Sequence, residues 1–88
     1  MIEKEITVIN KLGLHARPAA QLVKTISRFK SEVSIKRDSL TVNAKSIMGV
    51  MMLAAELGAV LRFRIEGEDE RQAMDAIEKV FQDKFGED

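Results

Sequence analysis

A single histidine, His15, stands in the run Gly13-Leu14-His15-Ala16-Arg17-Pro18-Ala19, in a chain that has no cysteine. Its imidazole is the only side chain of the chain whose ordinary pKa lies near neutrality. The run passes from a loop into the start of a helix. There, free backbone N–H groups and the positive end of the helix dipole favour an anion. Arg17 adds a fixed cation whose fork of donors matches phosphate. Gly13 permits tight backbone geometry close to the ring. An exposed nucleophilic nitrogen beside a phosphate cradle suits a histidine that becomes phosphorylated. Hydrolysis is a poorer fit, because the run holds no second general base and the sequence shows no metal-ligand cluster.

The spacing of apolar residues predicts the elements that must position this run. Ile6, Val8 and Ile9 make Lys4 to Ile9 a first strand, and Asn10 to Gly13 a loop. Ala19, Leu22, Val23 and Ile26 fall at i, i+3, i+4 and i+7, the stripe of an amphipathic helix. Pro18 belongs in its first turn. Because proline disfavours helical geometry at the preceding residue, the helix is expected to start at Arg17 rather than His15. Lys24, Arg28 and Lys30 suit its C-terminal end. Val33 and Ile35 mark a second strand, Asp38 and Ser39 a turn, and Leu40 and Val42 a third strand. Ser46 opens an apolar helix predicted to stop at Gly58. Leu61, Phe63 and Ile65 alternate with polar residues as a fourth strand, which puts Arg62 and Arg64 on the polar face. Asp69 with Gln72 resembles a capping box, ahead of a helix with Ala73, Met74, Ile77, Val80 and Phe81 on one side.

The order βαββαβα gives an α+β domain with helices on one side of a single sheet and water on the other. Strand order does not follow from spacing. A ferredoxin-like sheet shares this order of elements apart from the last helix.

Composition narrows the partners. The chain has 88 residues with 14 basic and 14 acidic side chains, which fits one domain over residues 1–88. A net charge of zero argues against a general nucleic-acid binder or a polybasic membrane anchor. The lack of cysteine excludes disulfides and thiolate metal sites, and suits a reducing cytoplasm. No signal peptide and no bilayer-spanning segment is visible, so a cytoplasmic protein is expected. The acidic tail Gly86-Glu87-Asp88 is expected to fray.

Gly-Leu-His-Ala-Arg-Pro-Ala resembles the active-centre signature of HPr, the histidine-containing phosphocarrier family of the bacterial phosphoenolpyruvate-dependent sugar phosphotransferase system. The resemblance extends over essentially the whole chain. It implies an open-faced β-sandwich of four antiparallel strands in order 1-4-2-3 with three helices on one face. It also implies a phosphoryl group accepted at Nδ1 of His15 from enzyme I, steadied by Arg17, and passed to enzyme IIA domains. No cofactor or metal is implied in this chain, because the chemistry that activates phosphoenolpyruvate belongs to enzyme I and its metal. Such a protein is a carrier and not a turnover catalyst. Leu12 departs from the pattern, since many family members carry a polar residue just before the active-centre glycine.

A second signature is Ala44-Lys45-Ser46-Ile47-Met48-Gly49-Val50-Met51-Met52-Leu53. Ser46 is a favoured N-cap type. Behind it, Ile47, Val50, Ala54 and Leu57 form one stripe and Met48, Met51, Met52 and Ala55 another. A helix apolar all round is normally buried, yet a domain this small can hardly bury both stripes. Exposed methionines make an adaptable docking patch. The resemblance gives this patch the role of meeting enzyme I, enzyme IIA and regulators. The docking surface then comprises Ile47, Met48, Met51 and Met52, with Ala16, Ala20, Gln21 and Lys24 from the first helix, in a monomer. It also makes Ser46 a regulatory phosphorylation site for HPr kinase/phosphorylase. Three alternatives use the same residues differently: a paralogue in a nitrogen-related or purely regulatory relay, a regulator acting through Ser46 alone, and a ferredoxin-like module binding RNA or a small molecule. The last is disfavoured by four phenylalanines, no tyrosine or tryptophan and no basic excess.

Overall fold

The computed structural model describes residues 1–87 and has the predicted element order. The elements are β1 (Ile2–Thr7), α1 (Ala16–Ser27), β2 (Glu32–Arg37), β3 (Leu40–Asn43), α2 (Ile47–Met52), β4 (Val60–Glu66) and α3 (Glu70–Gln82). A 3-10 turn over Lys84–Gly86 follows α3. The four strands form one antiparallel sheet in order β1-β4-β2-β3. Ile2 pairs with Ile65 and Ile6 with Leu61, while Ile35 pairs with both Phe63 and Val42. Alternation along β4 buries Leu61, Phe63 and Ile65 and turns Arg62 and Arg64 to the open face. There Arg62 reaches Glu5 at 3.2 Å and Arg64 reaches Glu3 at 3.6 Å. The covered face packs against Ala19, Leu22, Val23 and Ile26 of α1 and Ala73, Met74, Ile77 and Phe81 of α3.

Four details differ from the sequence expectation, each for a physical reason. β1 spans Ile2–Thr7, not Lys4–Ile9, because its ladder ends opposite Val60, where β4 begins. Val8 is buried and still bonds Ala59 O and Gly58 N at 2.8 Å, but Ile9 is exposed. Helix α1 starts at Ala16, one residue before Arg17. Its first turn is closed by the Ala19 amide donating to His15 O at 3.0 Å. Pro18, buried at the third helical position, sacrifices only an N–H that has no intrahelical partner.

Helix α2 stops at Met52 instead of running to Gly58. Ala54 takes a left-handed conformation, φ 48°, and the Arg37 guanidinium caps the open end. Its Nη1 donates to the carbonyls of Leu53 (3.1 Å) and Ala54 (2.9 Å), and its Nη2 lies 2.7 Å from Glu56. The expected stripe through Ile47, Val50, Ala54 and Leu57 therefore does not form; of these only Val50 is buried.

The capping box at Asp69 is absent too. Its carboxylate accepts instead from the Lys30 amide (2.9 Å), the Ser31 amide (3.0 Å) and the Ser31 hydroxyl (2.5 Å). It thereby ties the start of α3 to the α1–β2 connection. These donors, the Ser31 hydroxyl first, hold the Asp69 carboxyl below its ordinary value. A depressed folded-state pKa gives stability that is complete above the unfolded-state value and lost as pH falls through the folded one. Asp69→Asn should therefore lower the urea midpoint at neutral pH, since its amide places a donor against donors. The gap to the parent protein should narrow below about pH 4. Paired urea titrations at neutral and acid pH measure both.

Candidate functional site

The loop between β1 and α1 is held by backbone geometry. The Leu14 amide donates to Ala55 O at 2.8 Å, across to the segment that follows α2. Gly13 adopts φ +69°, and a Cβ there would run into the Ala55 carbonyl oxygen and lie 2.9 Å from Glu56 Cα. Leu14 is buried, so the chain reaches the surface again only at His15.

His15 is the N-cap of α1, with extended backbone (φ −73°, ψ −174°) and a side chain that makes no cap bond. The first turn therefore keeps its amides open. Because Pro18 has no N–H, those amides are Ala16 and Arg17. Arg17 is exposed, and its guanidinium forms no ion pair among the described residues. His15 Nε2 lies 2.9 Å from Glu87 Oε2. The other oxygen of Glu87 accepts from Asn10 Nδ2 at 3.2 Å, and the same Asn10 nitrogen donates to Gly13 O at 2.7 Å. Among the described residues, no group of three His, Cys, Asp or Glu side chains is placed to hold a metal.

Helix α2 lies against α1. Its N-cap is Ser46, whose Oγ accepts the Gly49 amide at 3.1 Å. Met48, Met51, Met52 and Ile47 are all exposed, Met48 most at 76 %. On α1, Ala16, Ala20 and Lys24 are exposed and Gln21 is half-buried. Leu12, 71 % exposed, stands in the loop ahead of Gly13.

Comparison with known proteins decides the family. A family model described as "PTS HPr component phosphorylation site" matches residues 2–83. The chain belongs to the HPr family. It is 56 % identical to the phosphocarrier protein HPr of Xylella fastidiosa over 88 residues, covering 100 % of this chain and 99 % of that protein. It is 51 % identical to the phosphocarrier protein HPr of Treponema pallidum, with both chains covered completely. The crystal structure of HPr-C-His from Thermoanaerobacter tengcongensis superposes with a TM-score of 0.96 at 46 % identity, over 100 % of this chain and 99 % of that one. The strand order and the three helices are those of HPr structures, and the role is that of a phosphocarrier in the phosphotransferase system. That reading stands over an RNA- or small-molecule-binding module.

Within the HPr fold, the motif residues His15 and Arg17 meet at one helix start, and the predicted methionines share one exposed helix. Two contacts of His15 and its loop had no signal in the motif. Asn10 reads as loop polarity, yet it is fully buried. Glu87 belongs to the tail expected to fray, yet it folds back on His15; Asp88 lies outside the described residues. Gly13 and Gly58 provide a test of the clamp. Both have left-handed φ, but a Cβ at Gly58 meets nothing within 4 Å. Gly58→Ala should cost about 1 kcal/mol and Gly13→Ala about 2–4 kcal/mol in urea unfolding.

Proposed function

We propose that Nδ1 of His15 carries the phosphoryl group, taking it from phospho-enzyme I and passing it to enzyme IIA domains in sugar uptake. The observation that carries this is the exposed His15 at the N-cap of α1, whose first turn holds the Ala16 and Arg17 amides and an exposed Arg17 whose guanidinium forms no ion pair among the described residues. Transfer is an in-line displacement at phosphorus with a loose transition state, which needs positioning and charge stabilisation more than acid–base help. The two amides and Arg17 supply donors to the phosphoryl oxygens. The ring nitrogen supplies the electron pair on loading and takes it back on transfer. The chain is then a protein substrate of two enzymes. A cytoplasmic location accords with this role, and no helix among the described residues is long and apolar enough to cross a membrane.

Docking falls to the exposed face of α2, Ile47, Met48, Met51 and Met52, continued by Ala16, Ala20, Gln21 and Lys24 of α1. Soft thioethers adapt to more than one partner. Leu12 extends the apolar rim. Ser46 is the regulatory position. Phosphate there stays compatible with the helix start but sets about two negative charges beside Met48, which weakens docking of an acidic partner.

Phosphoenolpyruvate and enzyme I should add one acid-labile phosphate by intact mass. His15→Ala should abolish it, and Arg17→Ala should slow its formation about 100-fold. No adduct on the parent protein would sink the carrier role. HPr kinase should add an acid-stable phosphate that Ser46→Ala removes.

A further inference from the structure

We infer that Glu87 is a positioning residue for phosphoryl transfer: its carboxylate takes the proton on His15 Nε2 and so keeps the lone pair of the neutral ring on Nδ1. The inference rests on His15 being the carrier. Glu87 lies beyond residues 2–83, the span the family model matches.

The chemistry follows from which groups can donate. An ionised carboxylate only accepts. At 2.9 Å from Glu87 Oε2, Nε2 must therefore carry the proton. A neutral imidazole has one N–H, which leaves Nδ1 unprotonated and nucleophilic. The carboxylate is itself held. Its Oε1 accepts from Asn10 Nδ2 at 3.2 Å. Asn10 is fully buried, and its amide group faces two acceptors, Glu87 Oε1 and Gly13 O. Rotating that amide would set its oxygen against both. Its Oδ1 has no hydrogen-bond partner among the described residues, so the orientation serves these two contacts at a cost.

The turn that delivers Glu87 is also fixed. Phe85 is buried against Phe81, with ring centroids 5.0 Å apart, and the Glu87 amide donates to Lys84 O at 2.8 Å. The Glu87 side chain is 16 % exposed, against 39 % for His15, so the contact is not a fully solvated surface pair.

During loading, the Nδ1 lone pair forms the N–P bond while the bond from phosphorus to the donor atom of phospho-enzyme I breaks, and that atom keeps the electron pair. The Nε2 proton stays in place, so the phosphorylated ring is cationic and Glu87 balances it. On transfer, the N–P bond breaks and its electrons return to Nδ1, again with no proton moved. A neutral acceptor at position 87 would keep the tautomer and lose the charge balance.

The test uses the full chain and the variants Glu87→Ala and Glu87→Gln. Nitrogen-15 NMR of the unphosphorylated protein, at a pH where the ring is neutral, reads the tautomer. Initial rates with phosphorylated enzyme I, over a range of carrier concentrations, read kcat and KM. The parent protein should show the Nε2–H tautomer alone. Glu87→Ala should show a mixture of both tautomers and a kcat lower by about tenfold, the scale on which a carboxylate partner tunes a ligating histidine. KM should be unchanged, because α2 is untouched. Glu87→Gln should restore the tautomer and recover part of kcat. A parent ring with mixed tautomers, or Glu87→Ala with the parent tautomer or the parent kcat, overturns the inference. Failure of the carrier reading is a separate result, the absence of any acid-labile adduct on the parent protein, and the tautomer measurement does not depend on it.

Discussion

A four-stranded sheet covered on one side can hide only one apolar face, and the remaining architecture follows from how three helices share it. The covered face presents Val33, Ile35, Leu61, Phe63 and Ile65. The long helices α1 and α3 take most of that area with stripes at helical spacing. Helix α2 has six residues and buries only Val50. Its methionines have no sheet left to pack on. They stay in water not because they are polar but because the apolar area is already used, which makes them available to a partner.

The same packing sets the active loop. Ending α2 at Met52 turns the following chain so that the Ala55 carbonyl can receive the Leu14 amide. Arg37 of β2 enforces that ending by binding the carbonyls of Leu53 and Ala54. A residue on the second strand thus contributes to the position of a loop before the first helix. Gly13 is where the two segments approach too closely for a side chain, and His15 follows two residues later, after buried Leu14 has anchored the loop. The exposed face of α2 and the His15 ring are therefore parts of one packed assembly.

Zero net charge is consistent with this design. The open sheet face neutralises itself through Arg62 with Glu5 and Arg64 with Glu3. Charge at the active end is local: Arg17 stands two residues after His15 in the first turn of α1, and Glu87 lies against Nε2. A carrier that meets several partners in turn gains little from a strong field and much from a soft apolar contact and a small preorganised site.

Periodicity and turn chemistry were enough for the element order, the buried stripes of α1 and α3, and the polar face of β4, because those depend on residues close in the chain. The run around His15 was legible as a helix start for the same reason: the proline, the glycine and the cation that mark it lie within seven residues. Strand order was accessible only through family resemblance, since alternation says which face a residue takes and not which strand lies beside it. The end of α2 was misjudged because Arg37, distant in sequence, caps it. Asp69 looked like a cap because its true partners, Lys30 and Ser31, lie in another connection. Glu87 looked like a loose acidic tail because only folding brings it to Nε2 of His15. The sequence by itself determined that a single imidazole, His15, stands beside a glycine and Arg17 in the family signature. Tertiary structure alone decided what faces that ring, because the Glu87 carboxylate beside Nε2 arrives from the far end of the chain.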